Sequence, residues 1–190
     1  GLGDVYKRQR KGVLYGLNAE TGEVIWKTSV KRERPETTYP VLAVYKGRVY
    51  LAEKKLYCLD AKTGKIVWVS KNKIEPTYKV GGNGTLWFWC MPTVADGKVF
   101  VRGVWRAEWG GEKRENVYCL DAETGEILWN QSRGIETDLR ECLAYANGRV
   151  YAVDLKPNVY CFDAGTGELL WKVYLEGVTN IATNPVSPPV

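Results

Sequence analysis

Apolar and polar positions alternate along short stretches of this chain, and residues typical of turns separate the stretches. In one of them, Leu56 and Cys58 point to one side of an extended chain, and Tyr57 and Leu59 point to the other. This alternation predicts a β-strand, because successive side chains of a strand point to opposite faces. The run at 65–68 is rich in β-branched residues and ends in tryptophan, so it predicts a second strand. Together the two runs predict a β-hairpin.

The hairpin pattern recurs along the chain, which is typical of an array of similar units. Its copies occupy 14–26, 56–68, 117–129 and 159–171, and in each a tyrosine lies 11 positions before a tryptophan. The predicted turn residues between the two arms are Asp60, Gly64, Asp121, Gly125, Asp163 and Gly167. An Asp side chain accepts hydrogen bonds from nearby backbone N–H groups, and glycine adopts a positive φ. We interpret the turn as a tight hairpin, because a calcium loop needs more oxygen ligands.

The spacing of the tryptophans predicts how the hairpins combine into larger units. The tryptophans that end successive copies of the hairpin are 42, 61 and 42 positions apart, and about 42 residues suffice for one four-stranded antiparallel sheet. A further hairpin precedes each of the last three copies, with turns at 46–47, 96–97 and 147–148. The predicted units are a hairpin at 13–30, sheets at 38–70, 85–131 and 138–174, and the start of another sheet at 180–190. The fold class is therefore all-β.

The consensus Tyr-x-Leu-Asp-Ala-x-Thr-Gly-x-x-x-Trp resembles the repeat of the PQQ-like, quinoprotein-type β-propellers, a family that includes an outer-membrane assembly lipoprotein. The resemblance covers nearly all of 10–190. It implies a single partial β-propeller: about three complete blades, with partial blades at both ends, of a propeller with seven or eight blades. WD40 repeats fit less well because the chain has no Trp-Asp pair, and kelch repeats fit less well because they lack the Asp-Ala-x-Thr-Gly turn found here.

The resemblance also implies a role for the repeated tryptophans. In that family the tryptophan closes the outermost strand of a blade and docks against the neighbouring blade. The docking residues by this resemblance are Trp26, Trp68, Trp129 and Trp171. They are therefore expected to hold blades together rather than to bind a ligand.

Residues 1–9 do not follow the repeat. Positions 4–9 read like the translation of a sequencing adapter, of the kind that enters metagenomic sequences. We interpret 1–9 as a non-native or disordered leader and expect no strand before the first hairpin.

Composition narrows the possible functions. The net charge is +5, but basic residues alternate with acidic ones instead of forming the stripe that binds nucleic acid. No apolar run approaches the about 20 residues of a membrane helix. Histidine is absent, which excludes His-based triads and His-ligated zinc sites within this sequence. Three of the five cysteines, Cys58, Cys119 and Cys161, share one repeat position that Gly16 fills in the first copy, so we predict packing residues rather than disulfides.

The middle repeat carries 19 extra residues, about half near 79–89 and the rest in a longer hairpin at 103–116. Insertions into repeats often form a binding face, and Trp and Arg are frequent in binding hot spots. The possible ligand or partner surface consists of Trp87, Trp89, Arg102, Trp105, Arg106 and Trp109. The alternative is that these aromatic residues pack the longer loop onto its own blade.

Two functions are compatible with these features. The first is a non-catalytic scaffold or sensor that binds a protein or glycan, uses no cofactor and contacts the remaining blades of its own propeller. By the family resemblance it is extracytoplasmic: periplasmic, secreted or lipid-anchored. The alternative is a fragment of a dehydrogenase that oxidises alcohols or sugars with pyrroloquinoline quinone (PQQ) and calcium. Many such enzymes carry an adjacent cysteine pair, which this chain lacks. No catalytic or metal-binding residue is predicted; Asp138, Arg140 and Glu141 either approach the propeller axis or lie in a solvated loop.

Overall fold

The computed structural model describes residues 4–8, 12–31, 41–71, 84–88, 90–107, 113–131, 135 and 139–177. Within these ranges the regular elements are all β-strands, in four antiparallel sheets. The first sheet contains β1 (Asp4–Arg8), β2 (Val13–Asn18) and β3 (Val24–Ser29), and the second contains β4 (Val41–Tyr45), β5 (Arg48–Ala52), β6 (Leu56–Asp60) and β7 (Ile66–Val69). The third contains β8 (Gly84–Phe88), β9 (Thr93–Ala95), β10 (Lys98–Ala107), β11 (Lys113–Asp121) and β12 (Ile127–Gln131). The fourth contains β13 (Leu139–Ala146), β14 (Arg149–Asp154), β15 (Asn158–Asp163) and β16 (Leu169–Tyr174).

The sheets pack face to face in chain order, with one apolar cluster between each neighbouring pair. Leu56 and Cys58 of β6 face the third sheet, whereas Leu59 and Tyr57 face the first. Both faces of the second sheet are covered, so the alternate residues of β6 are apolar on both sides of the strand. The short strand β9 contacts β4 on one side and β13 on the other, so the first strands of successive sheets converge. This convergence is the arrangement expected for propeller blades.

The turns that join β4 to β5, β9 to β10 and β13 to β14 follow from their sequences. Lys46, Asp96 and Asn147 have φ values of 45°, 48° and 48°, and each precedes a glycine that also has a positive φ. Two consecutive positive φ values are the requirement of a type I′ hairpin turn. Glycine satisfies this at no cost, and Asn or Asp tolerates it better than other residues.

The shared cysteine position lies directly beside the repeated tryptophan. Cys58 is paired with Trp68 across β6 and β7, and the first copy pairs Gly16 with Trp26 in the same register. A Cβ on Gly16 would overlap the ring of Trp26. A small residue is therefore needed here, because the indole lies across the neighbouring strand. All five cysteines are free thiols.

Strand β1 corrects the expectation that no strand precedes the first hairpin. It pairs antiparallel with β2, with Asp4 opposite Asn18 and Arg8 opposite Leu14. The physical reason is that a lone β2–β3 hairpin would leave the other edge of β2 with unpaired N–H and C=O groups, which an adjacent extended segment can bond. The predicted start of a further blade at 180–190 lies outside the described residues.

The middle sheet also differs from the prediction, because it has five strands and not four. Strand β8, expected within an insertion loop, pairs with the far half of β10, while β9 pairs with the near half. Strands β10 and β11 are 10 and 9 residues long, against 5 each for β5 and β6. The longer β10 offers an additional edge, and β8 fills it. Among the described residues there is no helix that could cross a membrane.

Candidate functional site

Each repeat turn is closed by its own aspartate. In the third sheet, Oδ1 of Asp121 accepts hydrogen bonds from the backbone N–H groups of Glu123 (3.0 Å) and Thr124 (2.8 Å) and from the Thr124 hydroxyl (3.0 Å). The backbone N–H of Thr124, followed by its hydroxyl, holds the pKa of Asp121 below its ordinary value. Asp60 and Asp163 accept equivalent bonds from Thr63 and Thr166, and these bonds also lower the pKa values of the two carboxyl groups. These carboxylates stabilise the turn that contains them.

The turn of one sheet receives the tryptophan of the preceding sheet, an arrangement that we call the docking joint. Nε1 of Trp68 donates a hydrogen bond to the carbonyl oxygen of Ala122 at 3.0 Å, and the Tyr50 hydroxyl donates to the same oxygen at 3.3 Å. The indole covers Gly125, where an added Cβ would lie 2.5 Å from Cε3 of Trp68. Gly125 is therefore required both for its φ of 73° and for the close approach of the ring.

Two other docking joints have the same geometry. Nε1 of Trp26 donates to Ala61 O at 2.8 Å, and Nε1 of Trp129 donates to Ala164 O at 3.2 Å. Their rings cover Gly64 and Gly167. The fourth tryptophan, Trp171, is 42% exposed, and among the residues that the structure describes no turn lies against it.

The repeated thiols are unsuited to act as nucleophiles. Cys58 and Cys119 are fully buried, and burial raises the pKa of Cys58 to about 11 and that of Cys119 to about 12. Because the thiolate is the reactive form, such thiols are inert at neutral pH.

The extended hairpin contains a buried ion pair. Nη2 of Arg102 lies 2.7 Å from Oε1 of Glu115, and their side chains are 17% and 4% exposed. The other carboxylate oxygen of Glu115 accepts a hydrogen bond from the backbone N–H of Leu139 at 2.8 Å. Leu139 begins β13, so Glu115 connects the extended hairpin to the first strand of the next sheet.

Two aromatic residues of the predicted surface, Trp87 and Trp105, lie in the described part of the chain, and Trp105 is buried within this blade. Trp105 is 7% exposed, and its buried Nε1 has no hydrogen-bond partner among the residues that the structure describes. The Trp87 ring is half-buried and lies under the ammonium group of Lys54, with 4.9 Å between Nζ and the ring centroid. Pairing of β8 with β10 brings Leu86 opposite Trp105 and Trp87 opposite Val104. The structure thus places Trp105 inside the blade and Arg102 in the ion pair. Trp105 is covered because β8, in a segment where the sequence predicted a loop, pairs with β10 as an added strand.

The remaining residues of the predicted surface lie outside the described part of the chain. Trp89, Trp109 and Asp138 are not described, and neither are the side chains of Arg106, Arg140 and Glu141. Sequence reasoning missed Glu115, because it lies among the polar residues at the start of β11, and its contact with Arg102 depends on the pairing of β10 with β11. It also missed Lys54, whose contact with Trp87 depends on the position of β8.

A buried carboxylate at the end of β14 accepts hydrogen bonds on both of its oxygens. Oδ1 of Asp154 accepts from the backbone N–H groups of Lys156 (2.9 Å) and Asn158 (3.0 Å), and Oδ2 accepts from Nδ2 of Asn158 (2.9 Å) and the Tyr160 hydroxyl (2.7 Å). A carboxylate surrounded by donors is a poor cation ligand. In the described ranges, no group of three or more His, Cys, Asp or Glu residues is positioned to hold a metal ion.

Comparison with solved structures gives propellers as neighbours. The quinohemoprotein alcohol dehydrogenase ADHIIG from Pseudomonas putida HK5 matches with a TM-score of 0.66 at 21% identity, covering 90% of this chain and 32% of that chain. The enzyme from Comamonas testosteroni matches with a TM-score of 0.65 at 21% identity, covering 90% of this chain and 33% of that one. At such identities the likeness concerns the fold alone. The chain spans about a third of the length of these enzymes.

BamB from Moraxella catarrhalis is also similar, with a TM-score of 0.47 at 16% identity, covering 92% of this chain and 62% of that chain. A search of curated proteins gives no match. At the level of sequence families, residues 10–134 and 113–188 match the family described as outer membrane protein assembly factor BamB. The chain therefore belongs to the family of the outer membrane protein assembly factor BamB, and its sheets are blades of a partial β-propeller.

Proposed function

We propose that this chain is part of a non-catalytic, extracytoplasmic propeller that binds extended segments of client proteins. The family description, an assembly factor for outer membrane proteins, supports both the location and the class of partner. Transmembrane β-strands are extended segments with alternating apolar residues before they fold. Such a segment binds best to an exposed sheet edge that carries apolar side chains, by the addition of a strand.

The observation that carries the proposal is the exposed edge of β7. Ile66, Val67 and Val69 are 43%, 44% and 39% exposed, and in the described part of the chain the other edge of β7 pairs with no strand. Natural proteins commonly protect such edges with lysine. The repeat position of Val69 is lysine in two other last strands, as Lys27 and Lys172. Strand β7 lacks this protection and therefore offers both unpaired backbone groups and apolar contacts.

The titratable groups of the repeats support a role without catalysis. A general base needs a carboxyl pKa raised toward neutrality, and a nucleophilic cysteine needs a lowered one. The pKa of Asp121 is lowered by its turn bonds, and the pKa of Cys119 is raised by burial. Both shifts have the direction opposite to the one that catalysis requires.

A single substitution tests the edge. Val69→Lys places at this position the residue that two other repeats already contain, so we expect the fold to be retained. The probe is a denatured outer-membrane β-barrel protein diluted from urea, with binding followed by suppression of its light scattering. We expect the unmodified chain to suppress scattering, Val69→Lys to suppress it less, and Val44→Lys, at a 51% exposed position on β4, to act like the unmodified chain. Equal activity of both variants, or no suppression by the unmodified chain, would contradict the proposal.

The dehydrogenase alternative requires PQQ and calcium, and the carboxylates described above do not fit them. Asp60, Asp121 and Asp163 accept the bonds of their own turns, and Asp154 is surrounded by donors. The alternative is tested by titrating the chain with PQQ and Ca²⁺. An absorbance change on binding, together with dye-linked oxidation of an alcohol, would favour the enzyme over the scaffold.

A further inference from the structure

The inner edge of the third sheet has a break between β8 and β9. Strand β8 pairs with residues 103–107 of β10 and β9 pairs with 98–100, so Val101 and Arg102 lie opposite the break. The backbone N–H of Arg102 donates a hydrogen bond to Sγ of Cys90 at 3.2 Å. Cys90 is 5% exposed and lies between the two strands in sequence. Its sulfur therefore takes the place of a backbone carbonyl in the ladder and marks the inner edge of the third blade.

The first strand of the fourth sheet lies against this edge. Strand β13 contacts both β9 and β10, and the Thr93 hydroxyl donates a hydrogen bond to the carbonyl oxygen of Leu143. The register of β13 on β14 shifts between Arg140 and Ala144, so the segment around Cys142 leaves the regular ladder. Cys142 is half-buried and packs against the apolar cluster between the second and third sheets, although it belongs to the fourth. It reaches that cluster past the inner edge of the third sheet, which otherwise separates the two.

The cluster that Cys142 contacts contains two other cysteines, Cys58 and Cys90. Cys58 is on β6, the third strand from the inner edge of its sheet. Because neighbouring strands are about 4.8 Å apart, it lies about 10 Å from that edge. Cys90 lies at the inner edge itself, three residues before Thr93, which bonds the residue after Cys142. The fold thus brings Cys90 and Cys142 together, and neither occupies the repeat position beside a tryptophan that accounts for the other three cysteines.

We propose that Cys90 and Cys142 form a disulfide under oxidising conditions, which joins the third and fourth blades at their inner edges. Cys142 is the more exposed of the two, so its thiolate attacks one sulfur of a disulfide oxidant such as oxidised glutathione and releases one glutathione. Cys90 then attacks the sulfur of Cys142 and displaces the second glutathione. The two thiols lose two electrons and two protons, and the oxidant is reduced to two thiols.

Extracytoplasmic compartments supply such oxidants, so the disulfide is expected wherever the chain is exported. The location belongs to the proposed function, whereas the pairing of the two cysteines depends only on their placement in the fold. A failure of the pairing therefore leaves the proposed function untouched, and the reverse also holds.

The test equilibrates the folded 190-residue chain with reduced and oxidised glutathione in different ratios, alkylates the remaining thiols and digests the product with trypsin. Each of the five cysteines falls in a separate tryptic peptide, with Cys90 in 80–98 and Cys142 in 141–149. Mass spectrometry should detect these two peptides joined, and alkylation of Cys58, Cys119 and Cys161. Circular dichroism before alkylation establishes that the chain is folded at every ratio.

Urea unfolding gives a second readout. The oxidised chain should have a higher urea midpoint than the reduced chain, because the link restricts the unfolded state. Cys90→Ala and Cys142→Ala should each abolish this difference, and Cys161→Ala, which changes a thiol outside the pair, should retain it. Comparing each variant with its own reduced form removes any effect of the substitution on folding. Alkylation of both Cys90 and Cys142 in the folded chain at the most oxidising ratio, a different cysteine pair, glutathione retained on Cys142, or a link between two chains would overturn the inference.

Discussion

Tryptophan side chains are covered by different parts of the molecule at the docking joints and in the extended hairpin. At a joint, Trp68 lies on a turn whose glycine leaves room for the ring and whose carbonyl accepts from Nε1. In the extended hairpin, Trp105 is covered by β8, and its Nε1 has no hydrogen-bond partner within the described part of the chain. The indole hydrogen bond and the covered glycine recur at three joints, whereas the extension occurs once and leaves a buried indole N–H without a partner among the described residues. The indole N–H groups of the repeated joints are therefore hydrogen-bonded, whereas that of Trp105 in the insertion has no partner in the described ranges.

The largest effect is expected at a joint, where packing and hydrogen bonding are lost together. Trp68→Ala should lower the free energy of unfolding by about 3–5 kcal/mol, because the cavity between the second and third blades cannot close. Denaturant unfolding followed by circular dichroism measures this loss. Leu128→Ala, at a side chain that is 49% exposed, is the control and should change stability little. Equal effects of the two substitutions would show that the joints do not hold the blades together.

The next largest effect is expected at the ion pair of the extension. Glu115→Gln keeps the shape of the side chain, but its amide offers one oxygen to two donors, Arg102 and the N–H of Leu139. We expect a loss of about 1.5–3 kcal/mol, the usual value for a hydrogen bond to a charged group. Glu123→Gln is the control, because its contact with Arg48 is long and largely exposed and such surface pairs contribute little. A loss no greater than in the control would mean that the extension is only loosely attached to the fourth blade.

These two regions were not equally accessible to prediction. The all-β fold was predicted, because strand alternation and the turn residues are local features that four copies repeat, and its arrangement as a propeller was expected from the family resemblance. The placement of β8 was not, because the edge of β10 that it fills depends on strand pairing rather than on local sequence. The position of Arg102 and Trp105 inside the blade follows from that pairing, so the sequence alone could not choose between a binding surface and a packed extension. The role of the four tryptophans came from family resemblance and not from spacing.

A smaller effect distinguishes the two kinds of tryptophan. Trp105→Phe removes a buried N–H group for which the described ranges provide no hydrogen-bond partner. Its removal offsets part of the lost packing, so we expect a change of less than about 1.5 kcal/mol. Trp68→Phe removes the hydrogen bond to Ala122 as well and should cost more. The same denaturant curves measure both variants. If Trp105→Phe were the more damaging, the indole N–H of Trp105 would have to make a bond that supports the extension.

The smallest effect is expected from the turn carboxylates, and it depends on pH. The pKa of Asp121 is lowered from its ordinary value of 3.8 in the folded chain, chiefly by the N–H of Thr124. A lowered folded pKa means that the carboxylate stabilises the fold fully above the ordinary value, and that this contribution is lost as pH falls through the folded pKa. Asp121→Asn keeps an acceptor, as Asn18 does in the first hairpin, but does not titrate. Its melting temperature should therefore fall less steeply with acid than that of the unmodified chain. Glu126→Gln, an exposed change in the same turn, should retain the unmodified acid dependence, and an unchanged slope for Asp121→Asn would mean that the turn bonds do not favour the ionised carboxylate.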